Sequence, residues 1–492
     1  MRRFDSSDAT LVKGTDTAFR LFFSPDGRRL GVVTSEGAPQ LVTLGSGLVT
    51  PLTERTDFFG ATWTTDDRIV FTRDRRLWQM PSSGGPATRV PLADDTGPLS
   101  FPWALPDPDK VLLEISRGAT NDVAVASVST GALQTLIPDG QMPMYSETGH
   151  VLFLRGGMLT AAAFDVGRLR VTGPQVPVME GLSPSARATP LALAANGTLV
   201  YVGARALQSQ VVWVNRQGAE RALTRTPRQY ANPRVSPNGR YVLMQTAAGD
   251  LWIHDTTRDT LSRLATAIPI LSGFPLWMPG GREVIYKSSR GVHRQEVDGP
   301  RHSEVPGSTL NDFPSDVSPD GQSIAVVRLG AATSADIHIL SATGAHEPRA
   351  WLATPAYDGG AKWSPDGRWM AYSSLESGQS EVYLQPYPGP GVRRQVSVDG
   401  GSHPIWSRDG RELFYRNNSR VLVVDVARAG SDVTLSQPRL LFDRLYGFGL
   451  GISIPNFDLS ADGREFAFVK DAGATHVNVI LGWSGELRAK IR

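Results

Sequence analysis

The chain has 492 residues, and its 50 Lys and Arg nearly cancel 48 Asp and Glu, leaving a formal net charge of +2. So even a balance speaks against a dedicated nucleic-acid binder, which needs an excess of basic charge for phosphate contacts. Cys is absent, which removes disulfides, cysteine nucleophiles and thiolate metal sites, while 50 Gly and 35 Pro ask for many tight turns.

The length exceeds the roughly 250–300 residues at which one hydrophobic core stops growing, so two domains or one large repeat fold are expected. Residues 1–14, MRRFDSSDATLVKG, carry two arginines but no apolar core, and they do not read as a signal peptide. Nowhere does an apolar run approach the ~20 residues of a membrane helix, so no membrane insertion is expected of this chain. Segments 2–4 and 10–12 read as two outer strands of a unit whose inner pair is missing. They predict a defective or strand-exchanged first unit, and a chain start that has lost its upstream part.

From there one turn recurs. It is Ser24-Pro25-Asp26-Gly27, Ser236-Pro237-Asn238-Gly239, Ser318-Pro319-Asp320-Gly321 and Ser364-Pro365-Asp366-Gly367, with looser copies at Ser407-Arg408-Asp409-Gly410 and Ser460-Ala461-Asp462-Gly463. Weaker copies end at Asp67, Asp109, Gly149, Gly197 and Gly281, which makes eleven units at steps of 40 to 53 residues. The residue four places before each turn end is apolar in every unit: Phe23, Trp63, Leu105, Tyr145, Leu193, Val235, Trp277, Val317, Trp363, Trp406 and Leu459. Such a side chain can pack between neighbouring sheets. Each turn is followed by a short apolar strand, as at 30–33, 111–115, 241–244 and 369–372, and in most units by a third and fourth.

These runs are too short for helices and too closely spaced for βαβ crossovers. Asp-Gly or Asn-Gly is a hairpin signal, because Gly accepts positive φ and Asp bonds nearby backbone N–H groups. Four antiparallel strands per unit, repeated radially, make a β-propeller. The expected fold is all-β, two propellers in tandem built from about eleven four-stranded blade units. Residues 1–225 form the first, with about five blades plus a partial one, and residues 226–492 a six-bladed second. Segment 211–218 reads as a third strand and turn completing the unit that begins near Thr189. Segment 477–483 reads as the third strand of the last blade and 484–490 as a short helix. The fourth strand of that last blade is then expected from 219–224.

The turns resemble the TolB-like, PD40-type (WD40-like) propeller repeats. A closer likeness runs from Leu152-Phe153-Leu154 and Val171-Thr172-Gly173-Pro174 through Val212-Trp213-Val214-Asn215-Arg216-Gln217-Gly218. Its most specific part begins Trp363-Ser364-Pro365-Asp366-Gly367-Arg368-Trp369. Pro386-Tyr387-Pro388-Gly389-Pro390-Gly391 and Gly410-Arg411-Glu412-Leu413-Phe414-Tyr415 continue it. This ordered set resembles the extracytoplasmic C-terminal propeller region of bacterial membrane serine/threonine protein kinases and covers nearly the whole chain. It implies a sensing or scaffolding role and a periplasmic or extracytoplasmic location. With no leader read in residues 1–14, the cytoplasm stays open as the second location. The kinase itself is not implied, since no Gly-rich loop with its lysine, HRD or DFG sequence is present.

Chemistry is harder to find. The eight histidines, among them His150, His254, His293 and His338, form no HExxH or close pair, so no metal site is assigned. No G-x-S-x-G elbow exists, and the turn aspartates recur because each blade needs its turn. No catalytic residue and no cofactor site is assigned, and the chain is not expected to be an enzyme. Candidate partner-binding residues are Glu376 and Glu381 around a polar hairpin, Arg393 and Arg394 beyond it, and His403 just before a strand. His403 reads first as a turn histidine bonded to a backbone carbonyl, second as a contact at the channel mouth. The favoured function is a non-catalytic scaffold binding a protein, peptide or glycan. A sensor module associated with or split from a membrane kinase comes second, and a lyase or hydrolase using a channel metal last.

Overall fold

The computed structural model describes residues 18–491, apart from 35–38, 45, 53–57, 74, 94–95, 118–119, 183–190, 195–196, 203–207, 247–248, 267, 269, 330–334, 345–346, 431, 448–453 and 472–476. The expected strands at 2–4 and 10–12 lie outside the described residues.

Almost all regular structure is antiparallel sheet, and most sheets are meanders of neighbouring strands. Two compact units emerge, residues 1–206 with 475–492, and residues 207–474. This differs from a single cut between 225 and 226, and the reason is strand exchange.

In the second unit the first blade is Tyr230–Val235, Tyr241–Thr246, Leu251–Asp255 and Thr260–Leu264. Blades two to five begin with the innermost strands Ile270–Trp277, Asp312–Val317, Asp358–Trp363 and Ser402–Trp406. The sixth takes Phe457–Leu459 and Glu465–Asp471 from the end of the unit and Ser209–Asn215 and Glu220–Ala222 from its start. Thus 211–215 is a third strand of the last blade of this ring, and does not complete the unit near Thr189. The expected fourth strand does come from within 219–224. The ring closes because Val211, Trp213 and Ala467 of blade six pack with Tyr230, Val235 and Val242 of blade one. On its other face blade six packs Phe457, Phe466 and Phe468 against Ile405, Phe414 and Val421 of blade five. Apolar clusters join every other neighbouring pair as well. Arg216 fixes the exchanged strand with a two-nitrogen fork on Glu412 of blade five, at 2.9 and 2.5 Å.

Among the described residues the first unit holds five sheets. Apolar clusters link them in chain order. Its fifth sheet pairs Leu191–Leu193, Leu199–Val202 and Val477–Ile480. The strand expected as third in the last blade therefore completes this sheet instead. The following helix, Trp483–Lys490, buries Trp483 (1% exposed) and Leu487 against Met142, Leu152, Leu159 and Leu199. The helix forms where the sequence predicts it, after a left-handed Gly482.

Every strong copy of the turn joins the first and second strands of a sheet. In each, the Gly N–H bonds the Ser carbonyl, and the Ser hydroxyl donates to Asp or Asn and accepts an N–H five residues on. Gly367 stands at φ +70°, a region open to Gly at no steric cost. The weak copy at Asp109 is displaced by one residue. Leu105 N–H bonds Lys110 O as Ser236 N–H bonds Tyr241 O, so Leu105 fills the serine's place and Ala104 is the register residue. Phe23 is the other exception, 58% exposed where most of its counterparts are buried or half-buried.

Candidate functional site

The innermost strands of the second ring carry a bulge near their start. It is marked by left-handed Asn232, Phe274, Gly360 and His403 at the same place in four blades. The residue just before the register position packs toward a neighbouring blade, the following one for Asp316 and Asp458 and the preceding one for Arg234 and Lys362. In ring order these residues are Arg234, Leu276, Asp316, Lys362, Ile405 and Asp458. The pattern is cation, apolar, anion, repeated twice.

The two anions do the same work on opposite sides of a six-membered ring. Asp458 Oδ2 accepts the Val235 N–H at 2.8 Å, and Asp316 Oδ2 accepts the Trp363 N–H at 2.9 Å. Each thereby ties its blade to the next. Lys362 Nζ stands 3.4 Å from Asp316 Oδ1. Arg234 interacts electrostatically with Asp458 and Asp316, and Lys362 with Asp316, Arg234 and Asp458, so four charges from four blades converge. Arg234 is 4% exposed, while the side chains of Lys362 and Asp316 are 12% and 23% exposed. Water reaches the pair, yet protein crowds it. Burial pushes Asp316 up and Lys362 down, against the attraction each feels for the other. Burial likewise lowers Arg234, which stays protonated.

Two indoles repeat a second contact between blades. Trp277 Nε1 donates to Arg234 O at 3.0 Å and Trp406 Nε1 to Lys362 O at 3.2 Å. Near the bulges, buried polar groups of the second strands brace the following blade. Gln245 accepts the Phe274 N–H at 2.7 Å, the Ser373 hydroxyl accepts the His403 N–H at 3.3 Å, and Arg416 donates to Tyr446 O and Gly447 O.

Of the residues singled out in the sequence, His403 belongs here. It lies on an innermost strand, at a bulge with φ +60°, rather than in a surface turn. Its Nδ1 is 2.7 Å from Ser402 Oγ. Burial, then Arg416 and Arg234, press its pKa down to about 3, so the imidazole is neutral at physiological pH. Glu376 and Arg393 meet as an ion pair on the hairpin side of blade four, with Arg393 lying 4.4 Å over the Tyr383 ring. Arg394 turns instead to Asp432 of blade five at 2.5 Å. Glu381 is buried and accepts from Gln379, Ser397 and the Gly400 N–H, a structural role that removes it from the surface. The structure therefore brings Glu376 and Arg393 together and separates the other three.

Sequence reading missed Arg234, Asp316, Lys362 and Asp458. The signal was one step before the register position, where four of six copies in the second ring are charged. Among the described residues no group of three His, Asp or Glu could hold a metal ion.

No family model matches the chain. An uncharacterized protein of Agrobacterium fabrum is 25% identical over 190 residues, which are 38% of this chain and 63% of that protein. The chain thus spans less than two thirds of that relative. A solved structure described as a TolB from Agrobacterium tumefaciens is similar over 54% of this chain and 99% of its own, with 20% identity and TM-score 0.46. TolB from Acinetobacter baumannii is similar over 68% and 80%, with 13% identity and TM-score 0.37. The fold rests on the strand pairing and ring closure above: the chain is a β-propeller protein, similar to TolB-like propellers.

Proposed function

We propose that the protein is a non-catalytic propeller scaffold that captures a protein, peptide or glycan partner at the channel of its second ring. The observation that carries this reading is the row Arg234, Asp316, Lys362 and Asp458. Charges taken out of bulk water are costly, and an apolar ring of the same shape would hold blades together as well. Leu276 and Ile405 already occupy the same positions in blades two and five. A row of charges in a channel that water reaches offers a partner orientation and specificity that an apolar ring does not. A periplasmic location fits the same reading.

The test is capture from envelope extract by the full chain and by the double variant Asp316→Ile with Lys362→Leu, which copies the apolar positions. A partner retained by the natural chain and lost by the variant supports the reading. Equal capture by both, or a measured turnover by the natural chain, overturns it.

A sensor module linked to a membrane kinase is the second reading, and the ordered likeness over residues 363–415 favours it. An in-frame kinase and membrane helix encoded upstream of Met1 would decide for it.

A further inference from the structure

The seam between blades one and two of the second ring encloses a histidine. His293 stands on the third strand of blade two, Val292–Glu296, and is 4% exposed. Among the described residues neither of its ring nitrogens has a hydrogen-bond partner. The imidazole lies on the Tyr286 ring instead, with centroids 6.0 Å apart and planes at 26°. Tyr286 is in turn the clasp of the seam. Its hydroxyl donates to Gln295 Oε1 at 3.2 Å and accepts the Ile268 N–H, and Gln295 Nε2 donates to Ala265 O at 2.6 Å. Ala265 and Ile268 lie where the chain passes from blade one to blade two, so one tyrosine and one glutamine fasten that crossing. A cavity of about 610 Å³ lies beside the clasp, with Ile253, Ser262, Leu264, Ala265, Gln295 and Val297 in its lining. It brings water to the clasp and leaves it room to open.

Tyr286, His293 and Glu304 oppose one another in register on three adjacent strands and form a row across one face of the sheet. The row runs from a fully buried phenol to an exposed carboxylate. Opposed residues of neighbouring strands have Cβ atoms about 5 Å apart, within reach of one side-chain rotation. We propose that His293 is an acid-operated latch: once protonated, the imidazole leaves the Tyr286 ring for Glu304, and the clasp of Tyr286 and Gln295 lets go of Ala265 and Ile268. A neutral ring fits the seam. An imidazolium brings a charge and two N–H donors, and burying these without acceptors is costly. Burial is the largest influence on His293 and disfavours the cation; Glu304 favours it, and His302 and Arg290 oppose it. Across the seam Tyr286 packs on Leu243, Leu251 and Leu264 of blade one. The titratable groups on that face of blade one are Tyr241 and Asp255, and Asp255 is already held by Arg240 at 2.7 Å. Glu304 is therefore the anion that receives the imidazolium.

Amide exchange of Ile268 in the full chain reads the latch, because Tyr286 holds that N–H. The natural chain and its variants are compared at equal pH, which cancels the intrinsic dependence of exchange on pH. The closed seam favours the neutral ring, so its hold weakens as pH falls below the ordinary 6.5. At pH 7 the natural chain and His293→Phe should exchange alike. At pH 5 the natural chain should exchange faster, by up to about thirtyfold, the ceiling for a histidine that titrates normally once released. His293→Phe keeps an aromatic ring on Tyr286 and takes up no proton, so it should stay protected. Glu304→Gln, a change at an exposed position, should keep the protection seen at pH 7 and lose most of the acceleration at pH 5. Equal exchange of the natural chain and His293→Phe at pH 5 overturns the latch, and so does full acceleration in Glu304→Gln. The His293 Cε1–H resonance of the natural chain gives a check that needs no variant. Its midpoint should fall below 6.5, and a midpoint at or above 6.5 overturns the proposal.

Discussion

The two units use one repeat to build two different centres. At the position before the register residue the first unit has Phe22, Thr62, Trp103, Met144 and Ala192, with no charge among them. The second has Arg234, Leu276, Asp316, Lys362, Ile405 and Asp458. The bond between neighbouring blades is nevertheless the same. Thr62 Oγ1 accepts the Ala104 N–H at 3.0 Å, just as Asp316 accepts Trp363 N–H and Asp458 accepts Val235 N–H. A hydroxyl is enough to tie two blades, so the carboxylates of the second ring exceed what the fold needs. That excess is what directs attention to the second channel.

The exchange of strands gives the sharpest way to break this comparison. A fragment of residues 207–474 should melt cooperatively by itself, whereas 226–492 should not. The second fragment lacks the strand carrying Val211, Val212, Trp213 and Val214, all buried in the sixth blade. Circular dichroism on heating separates the two. A cooperative melt of 226–492 equal to that of 207–474 would refute the exchange.

Next in size is Trp483→Ala, which removes the largest fully buried side chain. It should cost the first unit about 3–5 kcal/mol, the usual range for truncating a buried aromatic. The second unit should unfold at its usual denaturant concentration, although residue 483 follows it in sequence.

A smaller effect tests the charged row itself. Asp316→Ala leaves Lys362 without its acceptor and should cost the second unit about 3 kcal/mol. Replacing both partners with Ile and Leu should restore most of that. Thr62→Ala, the matching change in the first unit, should cost only about 1 kcal/mol, one neutral hydrogen bond. Equal losses for Asp316→Ala and Thr62→Ala in urea titrations would show that the charge adds nothing.

Acid acts on the turns of both units alike. The turn aspartates Asp26, Asp320, Asp409 and Asp462 are held below the ordinary carboxylate value of 3.8, chiefly by the Ser hydroxyl. Groups with depressed folded pKa values stabilise the fold above the unfolded value, and that contribution disappears as pH falls through the folded one. Through these turns both units should weaken below about pH 4, whereas His403, held down to about 3, takes stability from the second unit alone as pH falls below the ordinary 6.5; melts from pH 7 to pH 3 check both.

The turn chemistry, and with it the blades, was legible because Ser, Asp and Gly act within six residues of one another. The helix after residue 482 was legible for the same reason. Leu105 misled because a turn without its serine offers no local mark of register, and only the Lys110 hydrogen bond fixes it. Of the candidate site, His403 was legible as a residue before a strand. Its neutrality was not, since that depends first on burial and then on Arg416 of the same blade and Arg234 of another. Glu381 looked exposed in a polar hairpin, but Ser397 and Gly400 fold back over it.

By itself the sequence determined the repeat, the strand order within a blade and the all-β class, because these follow from local turns and from alternation along single strands. Tertiary structure alone decided which unit owns residues 209–222 and 477–490. A strand's own pattern says that it needs a neighbour, but not which sheet edge supplies one. It also decided that Arg234, Asp316, Lys362 and Asp458 stand together. They are up to 224 positions apart in the chain, and only ring closure, by packing blade six on blade one, brings their charges into a common field.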